Sequence, residues 1–125
     1  VLDLTDLRKE KAESLPVYET KRLMIASAVV NGPKLLMLDE PASGLNSLEL
    51  ADLKKEILRL KELGLAIILI EHILPLLFGV SERVMVMDFG KKLTEGPPEQ
   101  IAKDPAVIEA YLGGQGQEAA SALVG

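Results

Sequence analysis

The side chains with the most chemistry in this sequence stand at the ends of two apolar stretches. "LLMLDEPASGLN" (35–46) runs from apolar residues into Asp39 and Glu40, and "LAIILIEH" (65–72) runs into Glu71 and His72. Adjacent acids at the tip of a strand suit metal-assisted phosphoryl chemistry. Asp39 can hold magnesium through water, while Glu40 can orient or deprotonate an attacking water. A neutral His72 opposite them can donate a hydrogen bond to a terminal phosphate or fix that water, and imidazole titrates near working pH. Taken singly, each has a plain structural explanation: Asp39 as a turn cap, Glu40 as a solvated acid, His72 as a partly buried histidine. Their shared order and spacing point to a site, with Glu71 expected to face solvent or to cap a turn.

Such a site needs two strands ending at one edge. In an open parallel α/β sheet, ligands bind outside the carboxyl ends of the strands, where helix N-termini point their amides outward. Leu35–Leu38 and Ala66–Ile70 are wholly apolar, and the amphipathic stretch Ser47–Leu63 between them is closed by Gly64. Strand, helix and strand of this kind predict a parallel sheet covered on both faces. Before them, Val1 to Glu13 sets leucines among charges at helical spacing, Ser14-Leu15-Pro16 interrupts, and Glu19–Val30 predicts a helix stopped by Asn31-Gly32-Pro33. After them come a helix over Ile73–Ser81 that Pro75 kinks or delays, a strand at Arg83–Met87, a turn at Asp88–Lys91 and a short strand that adds an antiparallel margin. "PPEQIAKD" and "PAVIEAYLGG" read as short helices begun by proline. The fold class is α/β, mainly parallel sheet flanked by helices. Met24, Met37, Met85 and Met87 are expected in the core, and the small polar tail 115–125 is expected to fray.

The totals set limits. A chain of 125 residues with 48% hydrophobic content can bury one core. Fourteen Lys and Arg against 19 Asp and Glu leave a net charge of −5, which gives no electrostatic footprint for nucleic acid. The run "DLKKEILRLKE" is a solvated helix face with supporting i,i+4 pairs. No cysteine is present, so thiolate metal sites and disulfides play no part. The apolar runs fall far short of a bilayer span and no signal-peptide pattern opens the chain.

"LLMLDEPASGLN" resembles the Walker B and D-loop segment of ABC-type ATPases, and "LAIILIEH" resembles their histidine-switch strand. "GKKLTEGPPEQIAKDPAVIEAYLGG" is similar to the end of the ATP-binding subunits of branched-chain amino acid importers. The resemblance implies that residues 1–114 are the C-terminal half of an ABC ATPase domain, with the phosphate cradle, its lysine and the glutamine loop in a half that precedes this stretch. It implies ATP and magnesium as cofactors, with Asp39 as the magnesium-coordinating Walker B aspartate, Glu40 as the catalytic glutamate and His72 as the switch histidine. Ser43, Gly44, Leu45 and Asn46 match the D-loop, which in the family crosses a dimer interface.

One match is imperfect. Where the family places the signature "LSGGQ" before a helix, this chain reads "LPVYE" from Leu15 to Glu19. Pro16 replaces the serine that would touch phosphate, Val17 and Tyr18 replace both glycines, and Glu19 stands where the glutamine would be. Glycines there let backbone amides approach the phosphate of ATP on the opposing subunit, so Val17 and Tyr18 are expected to crowd it. The alternative is that the Tyr18 hydroxyl supplies a phosphate or ribose contact.

The family implies an ATP-hydrolysing transporter subunit for amino-acid import. It would pair head to tail with a second ATPase subunit, dock on a transmembrane permease and sit peripherally on the cytoplasmic face of the membrane, without nucleic acid. A second reading is a truncated, non-catalytic module that docks on a full-length ATPase or permease and regulates it. A phospho-receiver domain would need a phosphorylatable aspartate and a lysine at other strand ends, and neither is present. A chromosome-maintenance or repair ATPase would need sustained heptads.

Overall fold

A computed structural model describes residues 2–112, and the expected fraying tail lies outside them. The chain divides into two compact units, residues 1–73 and 74–125.

The first unit opens with single 3₁₀ turns at Thr5–Leu7 and Ala12–Ser14 instead of the helix expected there. Neither turn buries a residue, so the leucine spacing has no apolar face to satisfy. Helix α1 follows at Val17–Val29, and Gly32 closes its end, donating its amide to the Val29 carbonyl. Strand β1 (Leu35–Asp39) and strand β2 (Ala66–Ile70) pair in parallel, joined through helix α2 (Ser47–Glu62). Asn46 caps α2: its side chain accepts from the Leu48 and Glu49 amides, and Glu49 reaches back to the Asn46 amide. A cap of this kind stabilises a helix by about 1 kcal/mol. Leu53, Ile57 and Leu60 on α2 are fully buried, and Leu36 and Leu38 on β1 are buried.

The second unit holds helix α3 (Leu74–Val80) and the antiparallel strands β3 (Val84–Asp88) and β4 (Lys91–Gly96). Phe89 and Gly90 turn the hairpin at φ of 43° and 77°, the pair of positive angles that a two-residue hairpin loop requires. The ladder shifts register between Val86 and Met87. Short helices α4 (Pro98–Ile101) and α5 (Pro105–Val107) start at the predicted prolines, and a π-helical turn, Ile108–Leu112, continues from α5. Val84, Val86, Ile101 and Val107 form the core, with Leu77 and Phe78 against it. The Tyr111 hydroxyl donates to the Met87 carbonyl.

The parallel and antiparallel pairings both match expectation, but they form separate two-stranded sheets. The expectation of cover on both faces is corrected. Leu35, Met37, Ile68 and Ile70 share one face of the parallel pair and stay between 47% and 66% exposed. All four methionines expected in the core are exposed, with Met24 and Met37 at 66%. Residue type marks a face as apolar; it does not say that this stretch of chain covers it.

Candidate functional site

The register of the parallel pair builds the site. Asp39 lies opposite Ile70, and the Glu40 amide donates to the Ile70 carbonyl at 2.9 Å, so both polar endings leave the sheet at one edge. Glu40 then turns the chain at a φ of 45°. A left-handed conformation costs a non-glycine residue about 1–2 kcal/mol, and it persists where neighbours fix it. Here the Glu40 carbonyl accepts from the Ser43 amide and from the Lys21 ammonium on α1, both at 3.2 Å. The acid therefore projects from a peptide held on both sides.

The Glu40 and His72 side chains are more than half exposed, and His72 Nδ1 lies 3.6 Å from Glu40 Oε1. Asp39 is exposed and, by strand alternation, shares the uncovered face of the parallel pair with Leu35 and Met37. Pro41 and Ala42 are buried behind the acids, whereas Ser43 and Gly44 are exposed. Gly44 has a φ of 77°, and a Cβ built there would lie 3.8 Å from Val17 Cγ1, so the start of α1 approaches this loop. Asn46, read from the sequence as a loop residue, has its side-chain oxygen engaged as the α2 cap.

The variant segment at the start of α1 divides in two. Pro16 precedes the helix without a side-chain cap, and Val17 is exposed at its first turn. Tyr18 instead lies in a groove between α1 and α2, its ring 5.5 Å from the Arg22 guanidinium carbon. Burial, then the nearby Glu56 charge, pushes its phenol up to about 12, so the hydroxyl stays protonated. Glu19 is bound to Arg22 Nη1 at 2.8 Å. Of the two residues expected to crowd a phosphate, Val17 alone stands at the exposed helix start.

Three further residues shape this region, and the first two carry no local signal in the sequence. Arg22 binds Glu19 and Glu56 at 2.8 Å and donates to the Asp3 carbonyl, tying α1 to α2. Burial raises the Glu56 carboxyl pKa against the pull of Arg22, whereas at Arg22 burial is outweighed by the hydrogen bonds it donates to Glu19 and Glu56 and by their charges, which hold the guanidinium above its usual value. Glu56 Oε2 is buried without a hydrogen-bond partner, so this link fixes geometry at some cost in desolvation. Lys21 is the second, through the Glu40 carbonyl. Glu71 is the third: its side chain is wholly buried and does not face solvent, and it accepts backbone amides from both loops. Of its two expected placements, facing solvent or capping a turn, it takes the second, receiving the His72 and Ile73 amides; the added bond to Ala42, 29 residues away, has no local signal in the sequence.

Among the described residues, no group of three or more His, Cys, Asp or Glu side chains could hold a metal ion. The exposed Asp39 carboxylate, with Glu40 beside it, fits a magnesium ion shared with substrate phosphates, since magnesium keeps several waters and takes one or two carboxylates. No helix among the described residues is long and apolar enough to cross a membrane.

A family model described as "Branched-chain amino acid ATP-binding cassette transporter" matches residues 91–116. The chain is 42% identical over 113 residues to the "High-affinity branched-chain amino acid transport ATP-binding protein BraF" of Pseudomonas aeruginosa, and equally to LivG of Escherichia coli K12. Each alignment takes in 90% of this chain and 44% of the relative, so the chain spans less than half the length of those proteins. It is also 34% identical to the "Lipopolysaccharide export system ATP-binding protein LptB" of Acidithiobacillus ferridurans. A solved ATP-binding cassette of an ABC transporter, in its ADP conformation, superposes with a TM-score of 0.81 at 30% identity, over 90% of this chain and 46% of that one.

Proposed function

We propose that this chain, which has the sequence and fold of the C-terminal part of an ABC transporter ATP-binding protein, carries the hydrolytic side of an ATP site completed by the rest of the full-length protein. The observation that carries the reading is the convergence of Asp39, Glu40 and His72 at one edge of a parallel strand pair. Asp39 would hold magnesium through water, and the ion would supply charge neutralisation for the phosphates. Glu40, on its fixed turn, orients the attacking water and accepts its proton. His72, within 3.6 Å of Glu40, donates to the terminal phosphate or steadies the same water. The uncovered apolar face ends at Asp39, which supports the remainder of the full-length protein packing there.

Ser43 and Gly44 form an exposed loop suited to meeting a second ATPase subunit, and the assembled pair would dock on a permease at the cytoplasmic face of the membrane. Branched-chain amino acid import is the transport role favoured by the match at 91–116 and by the higher identity to branched-chain subunits, 42% against 34% for the export protein. Phosphate release from magnesium-ATP by the full-length protein in its permease complex tests the function, and a complex that binds ATP without turnover overturns it.

The segment at Pro16–Tyr18 sets a sharper expectation. Since Tyr18 lies in the α1/α2 groove, Val17→Gly alone should raise turnover in the complete complex, by about tenfold if it restores one hydrogen bond to phosphate. Replacing Pro16, Val17 and Tyr18 together by Ser, Gly and Gly should add little. An unchanged or lower rate in both variants would show an adapted loop that works as it stands.

A further inference from the structure

We propose that Glu71 is a positioning residue that locks the loop after Glu40 to the loop bearing His72, so that the two candidate phosphate-facing groups hold one mutual geometry. The proposal rests on the functional reading above. Its basis is a carboxylate with no exposed side-chain surface at the edge where both loops leave the sheet. Oε1 accepts the Ala42 amide at 2.8 Å; Oε2 accepts the His72 amide at 3.1 Å and the Ile73 amide at 3.3 Å. His72 Nδ1 lies 3.9 Å from Oε2, beyond a hydrogen bond, so Glu71 acts on the histidine through its backbone.

The chemistry requires an ionised carboxylate. It is the one side-chain group of this size that only accepts, and here donors approach both of its oxygens. A carboxamide must turn its NH2 toward one set of amides, leaving donors facing donors. An aspartate keeps the acceptors but is one methylene shorter, so it holds one set of amides at the expense of the other without turning a donor toward them. Ala42 is itself 1% exposed and lies between Glu40 and Ser43, so its amide has no access to water once Glu71 is removed. The segment from Glu40 to Ser43 is thus gripped at one end by Lys21 on the Glu40 carbonyl and at the other by Glu71 on the Ala42 amide.

The test compares the full-length protein with its Glu71→Gln variant by residue-resolved amide hydrogen exchange and by ATPase kinetics in the assembled complex. Loss of a charge-assisted hydrogen bond should speed exchange by about tenfold or more at Ala42 or at His72 and Ile73, whichever set faces the carboxamide nitrogen. kcat should fall between about tenfold and a hundredfold with KM for ATP unchanged, because the reacting groups are displaced while nucleotide contacts remain. Glu71→Asp, which keeps the charge, should lie between wild type and Gln in both readouts, and it substitutes for Gln if that variant does not fold. Unaltered exchange at all three amides overturns the clamp, as does an unaltered kcat alongside faster exchange. A wild-type complex that never turns over ATP, with exchange still loosened in the variant, overturns the functional reading and leaves the clamp in place.

Discussion

Glu40→Gln in the full-length protein is expected to lower kcat by about 10²- to 10⁴-fold, the usual worth of a positioned general base. Glutamine keeps the volume and one acceptor oxygen, and the turn that aims the side chain depends on backbone bonds to Ile70, Ser43 and Lys21. The geometry should therefore survive while the proton acceptor is lost. ATP affinity should change little, since most nucleotide contacts are assigned to the rest of the full-length protein. Single-turnover phosphate release with a parallel equilibrium binding assay separates the effects. A loss of affinity matching the loss of rate would mean that Glu40 holds the nucleotide or the fold, in contradiction to its proposed role.

The second large effect is expected at His72. Its imidazole is exposed, and its Nδ1 lies 3.6 Å from Glu40, so the ring contributes little to packing. His72→Ala should leave thermal unfolding within about 0.5 kcal/mol of wild type, as for an exposed substitution. It should lower kcat by about a hundredfold or more, the loss expected for one positioned donor to developing phosphate charge. On the proposed roles Glu40 and His72 act on the same water and phosphate, so the double variant should be little slower than the worse single one. Multiplicative losses would show that the two act independently.

Local chemistry made much of this architecture readable. β2 lies at Ala66–Ile70 as its apolar run indicates, β1 extends one residue past Leu38 into Asp39, and α2 begins after Asn46 and ends one residue short of Leu63. Each is bounded by a signal within a few residues of it: an acid, a capping box, a glycine. The convergence of both polar endings at one sheet edge followed from parallel pairing alone. What escaped depends on distance along the chain or on surfaces beyond it. The Arg22–Glu56 link spans 34 residues and the Glu71–Ala42 bond 29, and no local pattern encodes either. The four methionines read as core because apolar residues seek cover, yet all remain exposed on this stretch. The first 13 residues read as helical from leucine spacing, but without a face to bury they form only single turns.

The central claim is that this stretch carries the acid pair and histidine of an ATP site whose phosphate cradle is supplied by the rest of the full-length protein. Its most direct test is phosphate release from magnesium-ATP, measured side by side for the full-length protein and for residues 1–125 alone, each with its Glu40→Gln control. The account predicts turnover by the full-length protein that the substitution removes, and a rate for the 125-residue stretch that cannot be told from its own control, because no substrate is positioned. Turnover by the stretch alone well above its control would contradict it, as would full-length turnover indifferent to Glu40.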